Sequence, residues 1–525
     1  MRGSPLPSVE RGGSLAFLFD NSESLIATYG PPYPITVWNH VMKVLVINEP
    51  FLKGFNRTQR WAARTRGRVL RPPDWLAYAT AVLERGGVDA KLFDFPAADW
   101  GKDELRQLVK REAPDFVVLD STTPSIYSDI ECAGICKEVS SAKVIMVGPH
   151  VSALPEETLR EAGGSLDVVC MGEYDLTVLD VVKNFPDLNR VQGVCFQEEG
   201  HVKNTGSRPL IADLDSLPFP AWHHLDLMKY FDGSKLYPYI DIFSGRGCPH
   251  RCTFCLWPQV MHGHKVRLRS PRNVVDEMER DIALCPQVAH GGEFFFEDDT
   301  FTLVKANAIA ICEEILRRGL KVRFSANARA DTADEELFQL MSRAGCRQLL
   351  VGFESGNEAM LDRMNKRRTL DDARRFMELA HRFRIAVHGC FVMGIPGETA
   401  ESMEATIRHS LELGLDTVQF SAAVPFPGTV YYDQCREAGW IEANHWDAWL
   451  SDGEQAPVAD CPGLTKAMVS DAIDRGLKRF YLRPGYMVRF LLATQTTSDL
   501  YRKVQGAWNF FGYLLSSHRR RAGTF

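Results

Sequence analysis

Between Gly245 and Cys255 the chain reads Gly-Arg-Gly-Cys-Pro-His-Arg-Cys-Thr-Phe-Cys, directly after the strand-like run Tyr239–Phe243. Cys248, Cys252 and Cys255 thus follow a CxxxCxxC spacing, and three thiolates this close can curl around one four-iron cluster and ligate three of its irons. That leaves one iron open to chelate a small molecule, whereas a fourth cysteine would make a closed electron carrier. The competing reading is a structural zinc loop. Zinc takes four ligands, however, and no neighbouring Cys-x-x-Cys or histidine pair completes a closed site. The other cysteines (Cys132, Cys136, Cys170, Cys195, Cys285, Cys312, Cys346, Cys390, Cys435, Cys461) are scattered singly, often within apolar runs. This is the pattern of a reduced, cytoplasmic protein rather than of a disulfide framework.

The elements that must position this loop form a regular series. From Tyr239 to about Thr429, strand patterns at Tyr239–Ser244, Glu293–Glu297, Val322–Ala326, Gln348–Phe353, Ala386–Met393 and Thr417–Ala422 alternate with helical ones. Six β/α units predict a partial barrel, open on one side, with its chemistry on the loops that follow the strands. The cysteine loop follows the first strand. After the second come Glu297 and Asp299, which could hold an ammonium or a ribose or simply cap the next helix. Arg329 follows the third and could pair a carboxylate bidentately. Glu354 and Ser355 follow the fourth, and Gly394 and Gly397 shape a turn after the fifth. Leu256-Trp257-Pro258-Gln259 and Val424–Thr429 bring bulky residues to the same mouth, either to wall off a reactive species from water or as plain loop packing.

Upstream, residues 42–182 alternate buried strands (Lys43–Asn48, Asp89–Asp94, Phe116–Asp120, Lys143–Val147, Asp167–Cys170) with helices, which predicts a doubly wound parallel sheet. Such sheets bind cofactors at the carboxyl ends of their strands. The loops there carry Ser121 and Thr122, then Gly148, Pro149 and His150, then Gly172. Residues 183–238 read as a linker containing a hairpin and a proline-stiffened strap, and 1–41 as a poorly structured extension, with Met42 a plausible first residue. Residues 431–525 turn helical and end in Arg519-Arg520-Arg521, with Trp508, Phe510, Phe511 and Leu514 before them. The simpler reading of this region is a helical cap on the barrel. The alternative is a basic amphipathic end that touches an anionic membrane.

Composition narrows the function classes. At 525 residues, 45% hydrophobic and 24% charged, the chain is of ordinary globular type and long enough for two or three domains. Its net charge of −6 gives no bulk electrostatic reason to bind nucleic acid. No apolar run reaches the ~18–20 residues of a membrane span.

With Phe254 before the last cysteine, the central loop resembles the signature of the radical S-adenosylmethionine (SAM) superfamily, and the strand-end loops resemble its SAM-contacting elements in order and spacing. The resemblance implies that Phe254, Glu297, Asp299, Arg329, Glu354, Ser355, Gly394 and Gly397 surround SAM. In its place before such a barrel, 42–182 resembles the cobalamin-binding domain of the cobalamin-dependent branch. Ser121, Thr122, Gly148, Pro149, His150 and Gly172 would then lie nearest the corrin. The Asp-x-His-x-x-Gly cobalt-ligating signature is absent after the first strand, so His150 is read as a turn or phosphate-tail contact, and the alternative is a degenerate domain that binds nothing. The wording around Cys255–Gln259, Glu293–Thr302 and Val351–Asn357 looks like the group of phosphinate P-methylases, antibiotic-pathway C-methylases, the hopanoid side-chain enzyme and the anaerobic magnesium-protoporphyrin cyclase.

The expected fold is therefore α/β: a Rossmann-like cobalamin-binding domain, a partial (β/α)6 radical SAM barrel over 239–430, and a helical carboxyl-terminal cap. The resemblance implies three cofactors, a [4Fe–4S] cluster, SAM and cobalamin. It implies a 5′-deoxyadenosyl radical that removes hydrogen from an inert carbon or phosphinate centre, which methylcobalamin then methylates. A small-molecule substrate and an electron donor such as flavodoxin or ferredoxin follow from it. The same-fold alternative is radical redox or cyclisation of a hopanoid or porphyrin, and the alternative of another class is a non-catalytic iron–sulfur sensor.

Overall fold

The computed structural model describes residues 41–508, apart from 59–61, 65–68, 442–444, 452–453, 457–458, 460, 493, 495–499 and 502. The expectations for residues 1–40 and for Phe510, Phe511, Leu514 and Arg519–Arg521 lie outside the described residues.

The first sheet is built from short runs of Val, Ile, Leu and Phe that are buried on both faces, the pattern of a parallel sheet covered by helices on both sides. Its strands are β1 (Lys43–Asn48), β2 (Asp89–Asp94), β3 (Phe116–Leu119), β4 (Lys143–Met146), β5 (Val168–Cys170), β6 (Val194–Glu198) and β7 (His201–Asn204). They lie in the order β2-β1-β3-β4-β5-β6-β7, parallel as far as β5. The order reverses between β1 and β3, which opens a crevice at the carboxyl ends of the strands. Helices Asp74–Arg85 and Asp175–Asn184 bury one face, and Lys102–Glu112 and Ile126–Val139 the other.

Two details depart from the sequence reading. Strands β6 and β7 are the expected hairpin, but β6 pairs antiparallel with β5, so part of the segment taken as a linker extends the first sheet. Residues Asp175–Asn184 and Pro149–Ala153 form helices that were not anticipated. The first of these carries its apolar face through Val178, Leu179, Val181 and Val182, and it runs past the expected boundary at 182.

The second sheet holds β8 (Tyr239–Ile242), β11 (Glu293–Phe296), β12 (Phe324–Ala328), β13 (Cys346–Glu354), β14 (Ala386–Met393) and β15 (Thr417–Ala422), all parallel and in sequence order. No pairing joins β8 to β15, so the barrel is open. Two short strands, β9 (Gly245–Arg246) and β10 (Arg267–Leu268), pair antiparallel and pinch together the two ends of the segment that holds the cysteines. Helix Glu358–Arg363, between β13 and the next long helix, is a further addition to the expected series. The carboxyl-terminal helix Lys466–Tyr481 covers β15. The Tyr481 hydroxyl accepts from Val418 N (2.9 Å) and donates to Val418 O (2.7 Å), pairing backbone groups of the edge strand.

One continuous core runs from the first sheet into the barrel and includes Trp75, Tyr78, Phe243 and Trp257. Across it lie two bidentate ion pairs. Arg246 on β9 donates to Asp175 (2.8 and 3.0 Å), and its register partner Arg267 on β10 donates to Glu173 (2.7 and 2.7 Å). The Arg246 guanidinium also lies 4.3 Å from the Trp75 ring centroid. All four charged side chains are buried. Removing one partner strands the other charge away from water, which costs about 3–5 kcal/mol. Arg267→Ala is therefore expected to lower the unfolding free energy by about that amount, and Glu173→Ala added to it should cost less than the single change on its own. Denaturant titration of the two variants measures both terms.

Candidate functional site

The carboxyl ends of the barrel strands open into a cavity of about 670 Å³ lined by Cys248, Cys252 and Cys255. Gly247, at φ 93°, turns the chain into the cysteine loop; a Cβ there would stand 2.3 Å from Lys265 O, so only glycine allows this approach. Cys248 and Cys252 are buried and Cys255 is partly exposed. Gln259 holds the end of the loop by donating to Cys255 O at 2.5 Å. A fourth thiol, Cys390 on β14, lines the cavity from the sheet rather than from the loop.

The structure brings most of the expected barrel residues to this cavity. Phe254, Glu297, Asp299, Arg329 and Glu354 all line it. Glu297 accepts from Arg71 (3.2 Å) and Asp299 pairs with His262 (3.0 Å), while the following helix is N-capped by Val304 without a side-chain bond, so neither carboxylate is its cap. Arg329 makes a bidentate pair within the chain, with Asp331 (2.9 and 2.8 Å). Burial opposes the Arg329 charge, but Asp331 and the Cys252 and Cys248 thiols carry its pKa upward. Glu354 accepts from Lys366 at 2.6 Å and sits at φ 58°, a left-handed backbone that a non-glycine residue adopts at a cost. It lies where the β13–β14 register breaks.

Three expected residues stand apart. Ser355 is fully buried and bonds to Thr406 (3.1 Å), and neither Gly394 nor Gly397 lines the cavity. Both glycines are left-handed, at φ 100° and 85°, and a Cβ on Gly397 would meet the Arg363 guanidinium at 2.8 Å. Their turn is held by Glu398, which accepts from Gly394 N at 2.5 Å. Burial pushes the Glu398 carboxyl up to about 7 despite that bond. Of the two bulky loops, Leu256 and Trp257 line the cavity, whereas Val424 and Phe426 pack with Leu256 and Trp449 in a small separate core.

Sequence reading missed the cations. Arg64 and Arg71, which precede the first helix, and Lys366 all line the cavity. Arg368 is buried near Glu354 without an acceptor among the described residues, and burial, helped by the nearby Arg329 charge, brings its pKa down to about 10 despite Glu354. The run Lys366-Arg367-Arg368 was a visible signal, but no strand end marked it. Tyr486, Phe490, Leu500, Lys503 and Val504 of the carboxyl-terminal helices also line the cavity.

At the first sheet, the six expected residues gather at the ends of β3, β4 and β5. Ser121 Oγ donates to Val147 O (2.6 Å), Thr122 shares a hydrogen bond with Ser125 (2.7 Å), and Gly172 N donates to Ser152 Oγ (2.9 Å). Gly148, at φ 105°, passes so close to Asp120 and Ser121 that a Cβ would overlap both, and Pro149 begins the short helix. His150 is buried against Thr123 (3.1 Å) and the Trp446 ring (5.2 Å), and burial brings its pKa down to about 3, so it is neutral. The two sets of strand ends face each other: Ser152 Oγ lies 3.5 Å from Met261 Sδ, six residues past Cys255, and Trp257 stacks on Trp75 at 5.8 Å.

Residues 242–409 match the radical SAM superfamily model and 68–182 the B12 binding domain model. The chain is 30% identical over 454 residues to an uncharacterized methyltransferase of Pyrococcus horikoshii, covering 86% of this chain and 94% of that one. The chain belongs to the cobalamin-dependent radical SAM enzymes. It is also 28% identical to the anaerobic magnesium-protoporphyrin IX monomethyl ester cyclase of Cereibacter sphaeroides, over 78% of this chain and 67% of the cyclase. Its fold matches that of the radical SAM methyltransferase TsrM from Kitasatospora setae, solved with cobalamin and a [4Fe–4S] cluster, with a TM-score of 0.68, 17% identity and coverage of 90% and 99%.

As a member of this family the protein is an enzyme whose cofactors are a [4Fe–4S] cluster, SAM and cobalamin, and it acts on a small molecule. The residues present fit these groups. One loop offers three thiols to a single cavity, and Arg329, Lys366 and Arg368 bring positive charge near the anionic assembly that thiolates and a SAM carboxylate would form. At the first sheet the hydroxyls of Ser121, Thr122 and Ser152 are engaged within the loops. No helix among the described residues is long and apolar enough to cross a membrane.

Two outcomes follow. Each of Cys248→Ala, Cys252→Ala and Cys255→Ala should lose the cluster's ~400 nm absorbance after reconstitution, while Cys390→Ser keeps it. For Glu398 the folded-state pKa lies above the unfolded value, so its stabilising contribution is complete below about pH 4.5 and is lost as pH rises through about 7. Between pH 5 and 8 the wild type should lose on the order of 2–3 kcal/mol relative to Glu398→Gln, read from denaturant titrations at the two pH values.

Proposed function

We propose that this enzyme transfers a methyl group to an unactivated carbon or a phosphinate phosphorus of a specialised metabolite. The observation that carries the proposal is the opposition of the two sets of strand ends across residues 257–262, with Ser152 against Met261 and Trp257 on Trp75. A corrin held by the first sheet would then lie beside the cavity lined by the cysteines, which supports the reading. The relative of 30% identity, named as an uncharacterized methyltransferase, supports the same reading.

Cys248, Cys252 and Cys255 are assigned as the cluster ligands, and Phe254, Glu297, Asp299, Arg329 and Glu354 as the residues around SAM. Ser355, Gly394 and Gly397 shape those loops from behind. Ser121, Thr122, Gly148, Pro149, His150 and Gly172 are assigned to the cobalamin face. When bound, the cluster with SAM supplies hydrogen abstraction, and cobalamin supplies a transferable methyl group. The chain's own part is orientation and dryness. The Glu354–Lys366 and Arg329–Asp331 pairs hold charged groups at fixed positions in the cavity, so little reorganisation remains at the moment of reaction. Leu256 and Trp257 exclude water on the side that faces the first sheet. Neutral His150, enclosed by Thr123 and Trp446, would pack at the cobalamin face rather than ligate the metal.

A flavodoxin or ferredoxin is the electron donor of this proposal, and the cytoplasm its compartment, since most of the cysteines are scattered singly along the sequence rather than arranged as a disulfide framework. The experiment supplies SAM labelled in its methyl group with candidate phosphinate and hopanoid substrates. Label is expected in product, with both 5′-deoxyadenosine and S-adenosylhomocysteine formed. Turnover that yields 5′-deoxyadenosine without S-adenosylhomocysteine or label in product would replace methyl transfer with the radical redox or cyclisation chemistry represented by the cyclase relative.

A further inference from the structure

The outer surface of the cap is unlike the rest of the molecule. Among the described residues fifteen large apolar side chains are exposed, and eight of them fall between Leu482 and Trp508. Leu492 is 81% exposed, Trp508 78%, Val504 61% and Val488 58%. Such a concentration marks an interaction surface, because a folded chain otherwise scatters its exposed apolar residues singly. The patch is continuous with the cavity: Leu500 and Val504 are both exposed and line it, with Phe490 beside them.

The charge of the same segment identifies what covers it. Residues 483–525 contain seven Arg and Lys (Arg483, Arg489, Arg502, Lys503, Arg519, Arg520, Arg521) against one acid, Asp499, a local charge of +6 in a chain whose net charge is −6. Lys503 is turned inward over the Phe490 ring, 5.0 Å from its centroid, and five of the seven cations of the segment's sequence remain besides it and Arg483. Aromatic and aliphatic residues interleaved with arginine are the composition of a segment that lies in the interface of an anionic bilayer. A second copy of this chain is disfavoured, because a symmetric contact would bring two segments of charge +6 face to face.

We infer that the carboxyl-terminal helices dock the enzyme peripherally on an anionic membrane, with the mouth of the cavity against the bilayer. An apolar or amphiphilic molecule can then pass from lipid into the barrel without crossing water. That consequence rests on the proposed function, whereas docking does not and is measured without turnover.

The test is co-sedimentation of the full-length enzyme with vesicles of phosphatidylcholine alone or with about 30% phosphatidylglycerol. The wild type is expected to bind the anionic vesicles about tenfold more tightly than the neutral ones, and to lose most of that preference at about 0.5 M salt. A Val488→Glu, Leu492→Glu, Trp508→Glu variant alters no residue that lines the cavity and should bind about tenfold more weakly, with unchanged ~400 nm cluster absorbance as the check on folding. Should that variant fail to fold, Arg519→Gln, Arg520→Gln, Arg521→Gln serves in its place and should lose the anionic preference alone. Equal binding to both vesicle types, no binding, or a concentration-dependent dimer that the Glu variant dissolves would each overturn the inference.

Discussion

Two arginines side by side on the short strands β9 and β10 hold this enzyme together. Arg246 and Arg267 would repel each other across the ladder if Asp175 and Glu173 did not stand between them. Those carboxylates belong to the turn after β5 of the first sheet, and the arginines flank the loop that holds the cysteines. The position of the cysteine loop is therefore tied to the carboxyl end of the other sheet by charge pairs that cannot be exchanged for water without large cost. Trp75 completes the junction by lying over Arg246 and stacking on Trp257, so the first helix of one domain touches the loop of the other. Weakening this junction moves two sites at once.

Charge inside the barrel follows a second constraint. Three thiolates and a cluster accumulate negative charge, and the cavity answers with Arg329 and Lys366, each already paired with a carboxylate, and with Arg368 nearby, which has no acceptor among the described residues. Paired cations are rigid and an unpaired one is a reservoir of attraction, so the mixture fixes geometry while leaving net positive potential for an anionic ligand.

Much of this was legible in the sequence because the signals were local. The cysteine spacing, the six strand patterns and the strand-end loops each report on neighbours within a few residues, and most of the boundaries fell within two residues of those observed. Hairpin β6–β7 was readable as a hairpin, but its attachment to β5 is a long-range choice made by the exposed edge of the first sheet. Ser355, Gly394 and Gly397 were placed in the correct loops, yet a loop has an inner and an outer face, and the spacing could not say that these three turn away from the cavity. Arg71 was invisible for a related reason: it lies more than two hundred residues from its partner Glu297, in the long loop after β1 of the other sheet. Lys366 was missed because it follows helix Glu358–Arg363, whose six residues are too few to show a period.

The cavity carries ion pairs near the cysteines and mostly apolar side chains, besides Lys503, toward the cap, and that contrast constrains what can be turned over there. Near the cysteines it presents Arg71, Glu297, Arg329 and Glu354, and toward the cap it presents Leu477, Phe490, Leu500 and Val504. A molecule with a polar group and a long apolar part would enter oriented, since reversing it would leave apolar surface among the ion pairs. The left-handed Glu354, held by Lys366, stands among the polar groups at the cysteine end, where a strained residue keeps its side chain in one position only because its partners over-determine it. Orientation would thus be set by the walls before any reactive group is reached, and under the proposed function the three cysteines would be left the single task of holding the metal cluster.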